Sequence, residues 1–508
     1  MAIHTFAAVD VGSYELGLKI FEISRGRGIR EVDHLERRID LGSDTFYTGK
    51  ISHRHVLQVG EVLRDFHSIM ETYRCEDYKA YGTSAIREMT NASLVLRQWE
   101  QMSGIHVDVI SNSEQRFLDY KSVASRGQQF NDFIKESCAI VDIGGGSLQI
   151  SWFDEDRLSA TQNMPLGVLR LYDRVRQIDA RTDQFEGLVE EIVGAQIETF
   201  KKLYLGARKI HNLIIIDDHM SNFMQSRGME IVSAEKLQVL LSQTRESSLH
   251  NIGSSLGLSD EALNLLYITG IMVNYICRSF GADKIWGTGV TLCDGIAYEY
   301  AEKHRILPPS HDFDEDILAC TSEISKRYMG SETRSDTLET IATKIFDATK
   351  KIHGMGAREK LLLRISARLH DCGKYISMAN IGECGYDIIM ATEIIGLSHK
   401  EREIVANVVR YNHSEFVYYE EQENVTDLDL DSYMTITNLT AILQLANGLD
   451  RSHKQKFGDI RIQVRGDKMV ITVRQGVDIT LEKGMIKHRA DFFEEVLGLT
   501  PVIRQSNR

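Results

Sequence analysis

One short pattern occurs twice in the chain. Ala8-Val9-Asp10-Val11-Gly12 and Ile140-Val141-Asp142-Ile143-Gly144 are each an apolar run that ends on Asp, x, Gly. A second alternating run follows each copy: Leu16, Leu18 and Ile20 after the first, Leu148, Ile150 and Trp152 after the second. Period-two alternation marks β-strands, so each copy reads as strand, turn, strand. A long-period repeat of a whole unit points to a duplicated subdomain, and the predicted fold class is α/β.

The residue types at the turns suit phosphate. Glycines let backbone N–H groups approach phosphate oxygens closely. An Asp at a strand end can hold Mg²⁺ beside them, usually through water. Two such turns facing each other make a phosphate clamp, with Asp10, Gly12 and Ser13 as one wall and Asp142, Gly144, Gly145, Gly146 and Ser147 as the other. The plainer alternative, a bulged hairpin with no ligand, does not explain why the pattern occurs twice. No G-x-x-x-x-G-K-[ST] loop is present, and a dinucleotide fingerprint needs a helix after its glycines, whereas a strand follows Gly146.

Hydrophobic residues make up 43% of the 508 and charged residues 26%, which fits a globular protein with large cores. The net charge of −14 argues against general nucleic-acid binding. A polyanion would need a local basic patch. Arg25-Gly26-Arg27-Gly28, Lys201-Lys202 and the run 451–456 are candidates, and the plainer reading of each is a solvated surface run. Seven scattered cysteines without a C-x-x-C pair suggest reduced thiols and a cytoplasmic location. The N-terminus lacks the pattern of a signal peptide, and the most apolar helical stretch, 265–280, contains Asn274 and Arg278, so no membrane span is expected.

Strands are expected at 5–9, 79–82, 107–110, 138–141 and 213–216. A helix is expected over 56–73 and another over 113–125, with Ser113 as its cap. Pro308-Pro309 marks a linker over 306–315. The domain reading is 1–125 and 126–305 for the two α/β subdomains, 316–455 for an all-helical domain, and 456–508 for a small α/β segment with a strand turn at Gly466-Asp467.

Further residues carry a family resemblance. Asp10-Val11-Gly12-Ser13, Gly82-Thr83-Ser84-Ala85-Ile86-Arg87-Glu88 with Asn91, Val109-Ile110-Ser111 and 142–147 together resemble the exopolyphosphatase/guanosine pentaphosphate phosphohydrolase family, over essentially the full length. The resemblance implies two actin-like (ribonuclease H-like) subdomains followed by an HD-like helical domain. It also implies Mg²⁺-dependent release of terminal phosphate from polyphosphate or guanosine pentaphosphate, Arg87 as a phosphate contact, and a capacity to form homodimers.

The departures from the family pattern fall where chemistry is expected. The catalytic Glu aligns with Gln115, beside Glu114, and either would orient the attacking water. A second Glu is Gln149. Tyr14-Glu15 follows Ser13 where the family has Asn-Ser, Asp217-Asp218-His219 replaces a Gly-rich turn, and Cys293 stands in place of an Arg. Gln cannot act as a general base near neutral pH, though it can orient a water. These changes imply slow turnover, or alternatively a non-catalytic sensor or regulatory partner that binds polyphosphate or an alarmone.

In the helical part, His370-Asp371 resembles the HD metal-dependent phosphohydrolase signature, which makes His370 and Asp371 candidate metal ligands. The positions of the other two HD ligands hold Arg334 and Asn447. Two ligands are few for a catalytic metal, so the simpler reading is a structural pair on a buried helix.

Overall fold

The first apolar run forms β1 (His4–Val11) and turns at Gly12 into its antiparallel neighbour β2 (Glu15–Ser24). β3 (Gly28–Arg38) pairs antiparallel with β2. On the other side β4 (Asp77–Gly82) and β5 (Asp108–Val109) add in parallel, for the order β3-β2-β1-β4-β5. The second copy repeats this plan. β6 (Cys138–Ile143), β7 (Leu148–Asp154) and β8 (Arg157–Met164) form an antiparallel meander, and β9 (Asn212–Asp217) lies parallel to β6. β10 (Ile231–Ser233) and β11 (Lys284–Gly287) complete the order β10-β11-β9-β6-β7-β8. β6 and β9 are buried along their whole length, as expected of parallel strands covered on both faces.

The computed structural model describes residues 2–178, 184–217, 219–246, 260–309, 311–421 and 428–506. Asp218, one of the residues expected to replace a Gly-rich turn, lies outside them, as does position 310 of the expected linker. The chain divides into two compact units, Met1–Asp312 and Phe313–Arg508.

In the first unit, the helix His53–Thr72 is capped by Ser52 and buries Val56, Val59, Leu63, Phe66 and Met70, which share one core with β1 residues Ala7, Val9 and Val11. The helix Leu292–Lys303 also packs on the first sheet, although it ends the segment expected to form the second subdomain. Leu292, Cys293 and Ile296 share a core with Phe6, Ala8, Phe21 and Leu118. Gly295 permits this: an added Cβ would stand 2.0 Å from the Leu118 carbonyl oxygen, where the helix Asn112–Ala124 crosses.

The second unit opens with the helix Phe313–Arg327, which begins inside the expected linker. Its first turn carries Asp314, Glu315 and Asp316, favourable charges for a helix N-terminus. The helices Glu332–His353, Ala357–Leu369, Ile381–Ala391, His399–Tyr411 and Leu430–Leu449 follow. β12 (Arg461–Arg465) and β13 (Lys468–Arg474) form the hairpin expected at Gly466-Asp467, and β14 (Thr500–Ser506) pairs in parallel with β13. Among the described residues no helix is long and apolar enough to cross a membrane.

Candidate active site

The two repeated turns match residue for residue. Gly12 N–H donates to the Glu15 carbonyl at 2.9 Å, as Gly144 N–H does to that of Ser147 at 3.0 Å. Asp10 pairs across its hairpin with Gly17, and Asp142 with Gln149.

The turns also lie against one another. The Ser13 and Ser84 hydroxyls are 2.7 Å apart, and Ala85 N–H donates to Ser13 Oγ at 3.2 Å, at the start of the helix Ser84–Glu88. An added Cβ at Gly145 would stand 3.3 Å from Ser13 Cβ, and one at Gly146 only 2.6 Å from Ser84 Oγ. Behind the second turn a Cβ at Gly167 would fall 2.1 Å from the Gly145 oxygen. The glycines expected to admit phosphate therefore also admit the opposite turn and the helix Val168–Gln177, whose Val168 and Leu169 N–H groups donate to the Gly144 and Gly145 carbonyls at 3.0 Å.

Arg170 locks this junction, and sequence reasoning missed it. Its Nε donates to the Gly146 carbonyl at 2.7 Å, its guanidinium lies 3.9 Å over the Phe46 ring, and it pairs with Glu88. Four segments far apart in sequence meet here, so no local pattern marks the residue. Tyr14 bridges in the same direction: it packs against the second sheet's core, and its ring meets that of His219 edge-on at 6.4 Å.

At the second turn, Gln149 Nε2 donates to Asp142 Oδ2 at 3.1 Å, and both residues are buried. Gln149 Oε1 is buried without a hydrogen-bond partner among the described residues. Hard cations take oxygen ligands. The Asp142 carboxylate and this orphaned amide oxygen are donors of the kind Mg²⁺ takes, and Asp10 offers a carboxylate at the equivalent strand end of the first turn.

Arg87 and Gln115 come together. Arg87 Nη1 donates to the Ile110 carbonyl at 2.7 Å, and its Nη2 stands 3.5 Å from Gln115 Oε1. Glu114 is turned to a different task. Its carboxylate accepts from Ser111 N–H at 2.9 Å while Glu114 N–H donates to Ser111 Oγ at 3.2 Å. This is a capping box, and it corrects one expectation: Ser111 caps the helix instead of Ser113, which is buried within it, while one Glu114 carboxylate oxygen is committed to the cap. The Ser-x-x-Glu signal at 111–114 was present in the sequence.

Two other departures have structural roles. Asp217 accepts from the Ser221 N–H at 2.8 Å and the Ser221 hydroxyl at 2.7 Å, holding the start of the helix Met220–Ser226. Cys293 is a core residue with Sγ 3.5 Å from the Ala8 carbonyl. Burial, and then the charge of Asp10, push its thiol well above the usual range.

In the second unit the four HD positions do converge. Arg334 Nη1 lies 3.5 Å from Asp371 Oδ2, and its Nη2 donates to Asn447 Oδ1 at 3.2 Å. Lys374 meets Asp371 at 3.1 Å. His370 is fully buried just past its helix, with Nδ1 2.8 Å from the Ala367 carbonyl, so the proton sits on Nδ1. His413, which no ligand spacing marks, has Nε2 2.6 Å from the His370 carbonyl. A guanidinium thus stands among the residues that the HD resemblance assigned to a metal, and among the described residues no group of three or more His, Cys, Asp and Glu is arranged to hold one.

Residues 19–304 match the Ppx/GppA phosphatase family, and residues 319–489 match Ppx/GppA phosphatase, domain III. The chain belongs to the Ppx/GppA phosphatase family. A guanosine-5'-triphosphate,3'-diphosphate pyrophosphatase of Vibrio parahaemolyticus is 21% identical over 480 residues, covering 92% of this chain and 91% of that protein. The protein of the same name from Vibrio vulnificus is 21% identical over 488 residues, with the same coverage. Among solved structures, an exopolyphosphatase from Cytophaga hutchinsonii superposes with a TM-score of 0.51 at 16% identity, covering 60% of this chain and all of that one. A Ppx/GppA family member from Aquifex aeolicus gives 0.50 at 17% identity, covering 60% of this chain and 99% of that one. The two sheets of this family member are therefore the expected pair of actin-like subdomains, joined to a helical C-terminal region.

Proposed function

We propose that the chain is a Mg²⁺-dependent phosphohydrolase that releases terminal phosphate, slowly, from polyphosphate or guanosine pentaphosphate. The observation that carries this reading is the matched pair of turns, with Asp10 and Asp142 at equivalent strand ends and their loops in contact. Asp10, Asp142 and Gln149 Oε1 would hold Mg²⁺, which when bound neutralises charge on the phosphoryl oxygens. Arg87 would steady the phosphate chain, and Gln115 beside it would orient the attacking water. With an amide where the family has a carboxylate, no general base takes the water's proton, a loss of about 10²- to 10⁴-fold. Phosphoryl transfer depends chiefly on positioning and charge neutralisation, so slow turnover survives that loss. The name of the Vibrio relatives supports a guanosine polyphosphate substrate, and that of the Cytophaga protein supports polyphosphate.

The test is phosphate release from each substrate with Mg²⁺. Release above an Asp142→Ala control is expected, and none from either substrate would end the enzymatic reading. The second reading, a sensor that binds without turnover, is favoured by the Gln149 amide donating to Asp142. Calorimetry showing saturable binding without release would establish it.

A further inference from the structure

Two amide oxygens beside the second turn are buried without a donor, and they stand in neighbouring positions. Asp142 on β6 is opposite Gln149 on β7, and Gln149 is opposite Asn163 on β8. Residues directly opposite one another in antiparallel strands project to the same face, with Cβ atoms about 4.5–5.5 Å apart. Three oxygen-bearing side chains therefore form one row across three adjacent strands, at the end of the sheet that carries the turn 144–147. One register further on, Ile143, Leu148 and Met164 form the equivalent row on the other face and belong to the apolar core.

The sense of the Gln149 amide is fixed. Its Nε2 donates to Asp142 Oδ2 at 3.1 Å, and exchanging its N and O would set two acceptor oxygens against each other. Gln149 is 2% exposed, and its Oε1 has no hydrogen-bond partner among the described residues. Asn163 Oδ1, from the next side chain in the row, is likewise buried and without a partner among the described residues. An unpaired buried acceptor is destabilising, and two at adjacent positions double that cost. A hard cation satisfies both, because amide and carboxylate oxygens are its usual ligands.

We propose that Asn163 is a further metal ligand at the second turn. Its Oδ1 joins Gln149 Oε1 and the Asp142 carboxylate in taking a divalent cation. The inference rests on the proposed reading that Asp142 holds Mg²⁺. The row offers one carboxylate and two neutral amides, so it leaves part of the ion's charge uncompensated. That suits an ion shared with a phosphate chain, since Mg²⁺ is commonly held by one or two carboxylates together with substrate phosphates. The strand pairing identifies Asn163; no spacing in the sequence does.

The experiment reads metal binding and not phosphate release. Mn²⁺ takes the same oxygen donors as Mg²⁺, and its free form is counted by electron paramagnetic resonance as it is titrated into the full chain. Binding should be lost in Asp142→Asn. Asn163→Asp adds a charge to the row and should tighten Mn²⁺ by about tenfold, because ligand charge sets affinity. Asn163→Leu keeps the shape, removes the oxygen and should weaken Mn²⁺ by about tenfold. Melting measured in parallel should show Asn163→Asp below the parent without the ion and recovering with it. If Asn163→Asp does not fold, the loss in Asn163→Leu decides the question. Equal Mn²⁺ affinity in the parent and the Asn163 variants, with binding lost in Asp142→Asn, overturns this inference and leaves the metal assignment at Asp142 standing. That is also the result expected if a water bridges the two amide oxygens. Mn²⁺ binding indifferent to Asp142→Asn overturns both.

Discussion

Gln149 stands directly opposite Asp142 in the antiparallel pairing of β6 and β7 and donates its amide N–H to that carboxylate at 3.1 Å. In the first copy the matching position, opposite Asp10, is Gly17, where an added Cβ would meet no atom within 4 Å. The duplicated turns therefore differ in what stands opposite the Asp: an amide that hydrogen-bonds its carboxylate in one, a glycine in the other.

Replacing Gln149 by Glu should make the fold depend on a divalent cation. The amide bond to a charged acceptor is lost, a change of about 1.5–3 kcal/mol, and two carboxylates then share one buried site, which raises the pKa of one of them. The first unit of Gln149→Glu should melt lower than the parent without Mg²⁺ and recover with it. Equal melting shifts on adding Mg²⁺ to both proteins would refute the metal assignment at Asp142.

Gly167→Ala tests whether the second turn needs its close support. The new methyl would lie 2.1 Å from the Gly145 oxygen and 2.3 Å from Gly146 N, and both of those atoms belong to the backbone and cannot rotate away. Forced overpacking costs about 1–3 kcal/mol. Stability should fall by that amount in denaturant titration, and phosphate-chain affinity should fall with it because the turn must shift. Unchanged affinity would show that the turn does not contact the ligand.

Glu114 and Gln115 are neighbours with separable roles. Glu114→Ala removes half of the capping box with Ser111 and should cost about 0.5–2 kcal/mol of stability while leaving the rate per folded molecule nearly unchanged. Gln115→Glu, next to Arg87, should instead raise the rate of phosphate release by about tenfold or more, because it restores a proton acceptor. The opposite pattern, with Glu114→Ala abolishing turnover, would return the water-orienting role to Glu114.

The duplicated turns were legible in the sequence because their signal is local: Asp, x and Gly between alternating apolar residues fix a strand end and a turn together. The capping box at 111–114 is equally local: the Ser-x-x-Glu spacing marks Ser111 as the cap, whereas Ser113 alone has no such partner three residues on. Arg170 was not legible. Its partners Phe46, Glu88 and Gly146 belong to segments that only tertiary packing unites. The helix Leu292–Lys303 had a readable apolar face, but such a face does not say which sheet it covers, and Cys293 became a core residue for that reason. Arg334 and Asn447 occupy the two remaining HD ligand positions by resemblance, and in the fold they meet at 3.2 Å.

The second unit should lose stability as pH falls below about 6.5. Burial holds His413 down to about 4, and burial also holds His370 well below the usual histidine range. An unfolded chain returns both to about 6.5. Between pH 6.5 and 4 the unfolded state binds more protons than the folded one, so the contribution is fully present above 6.5 and shrinks as pH drops. The slope approaches about 1.4 kcal/mol per pH unit for each histidine. Asp450, raised by burial, acts in the opposite sense only at the acidic end, where its carboxyl protonates in the fold first. Urea unfolding of the second unit at pH 7.5, 6 and 5 should show the decline. His413→Gln, which keeps a donor for the His370 carbonyl, should remove about half of it. A flat profile between pH 7.5 and 5, or the same slope in His413→Gln, would show that neither imidazole is held neutral by the fold.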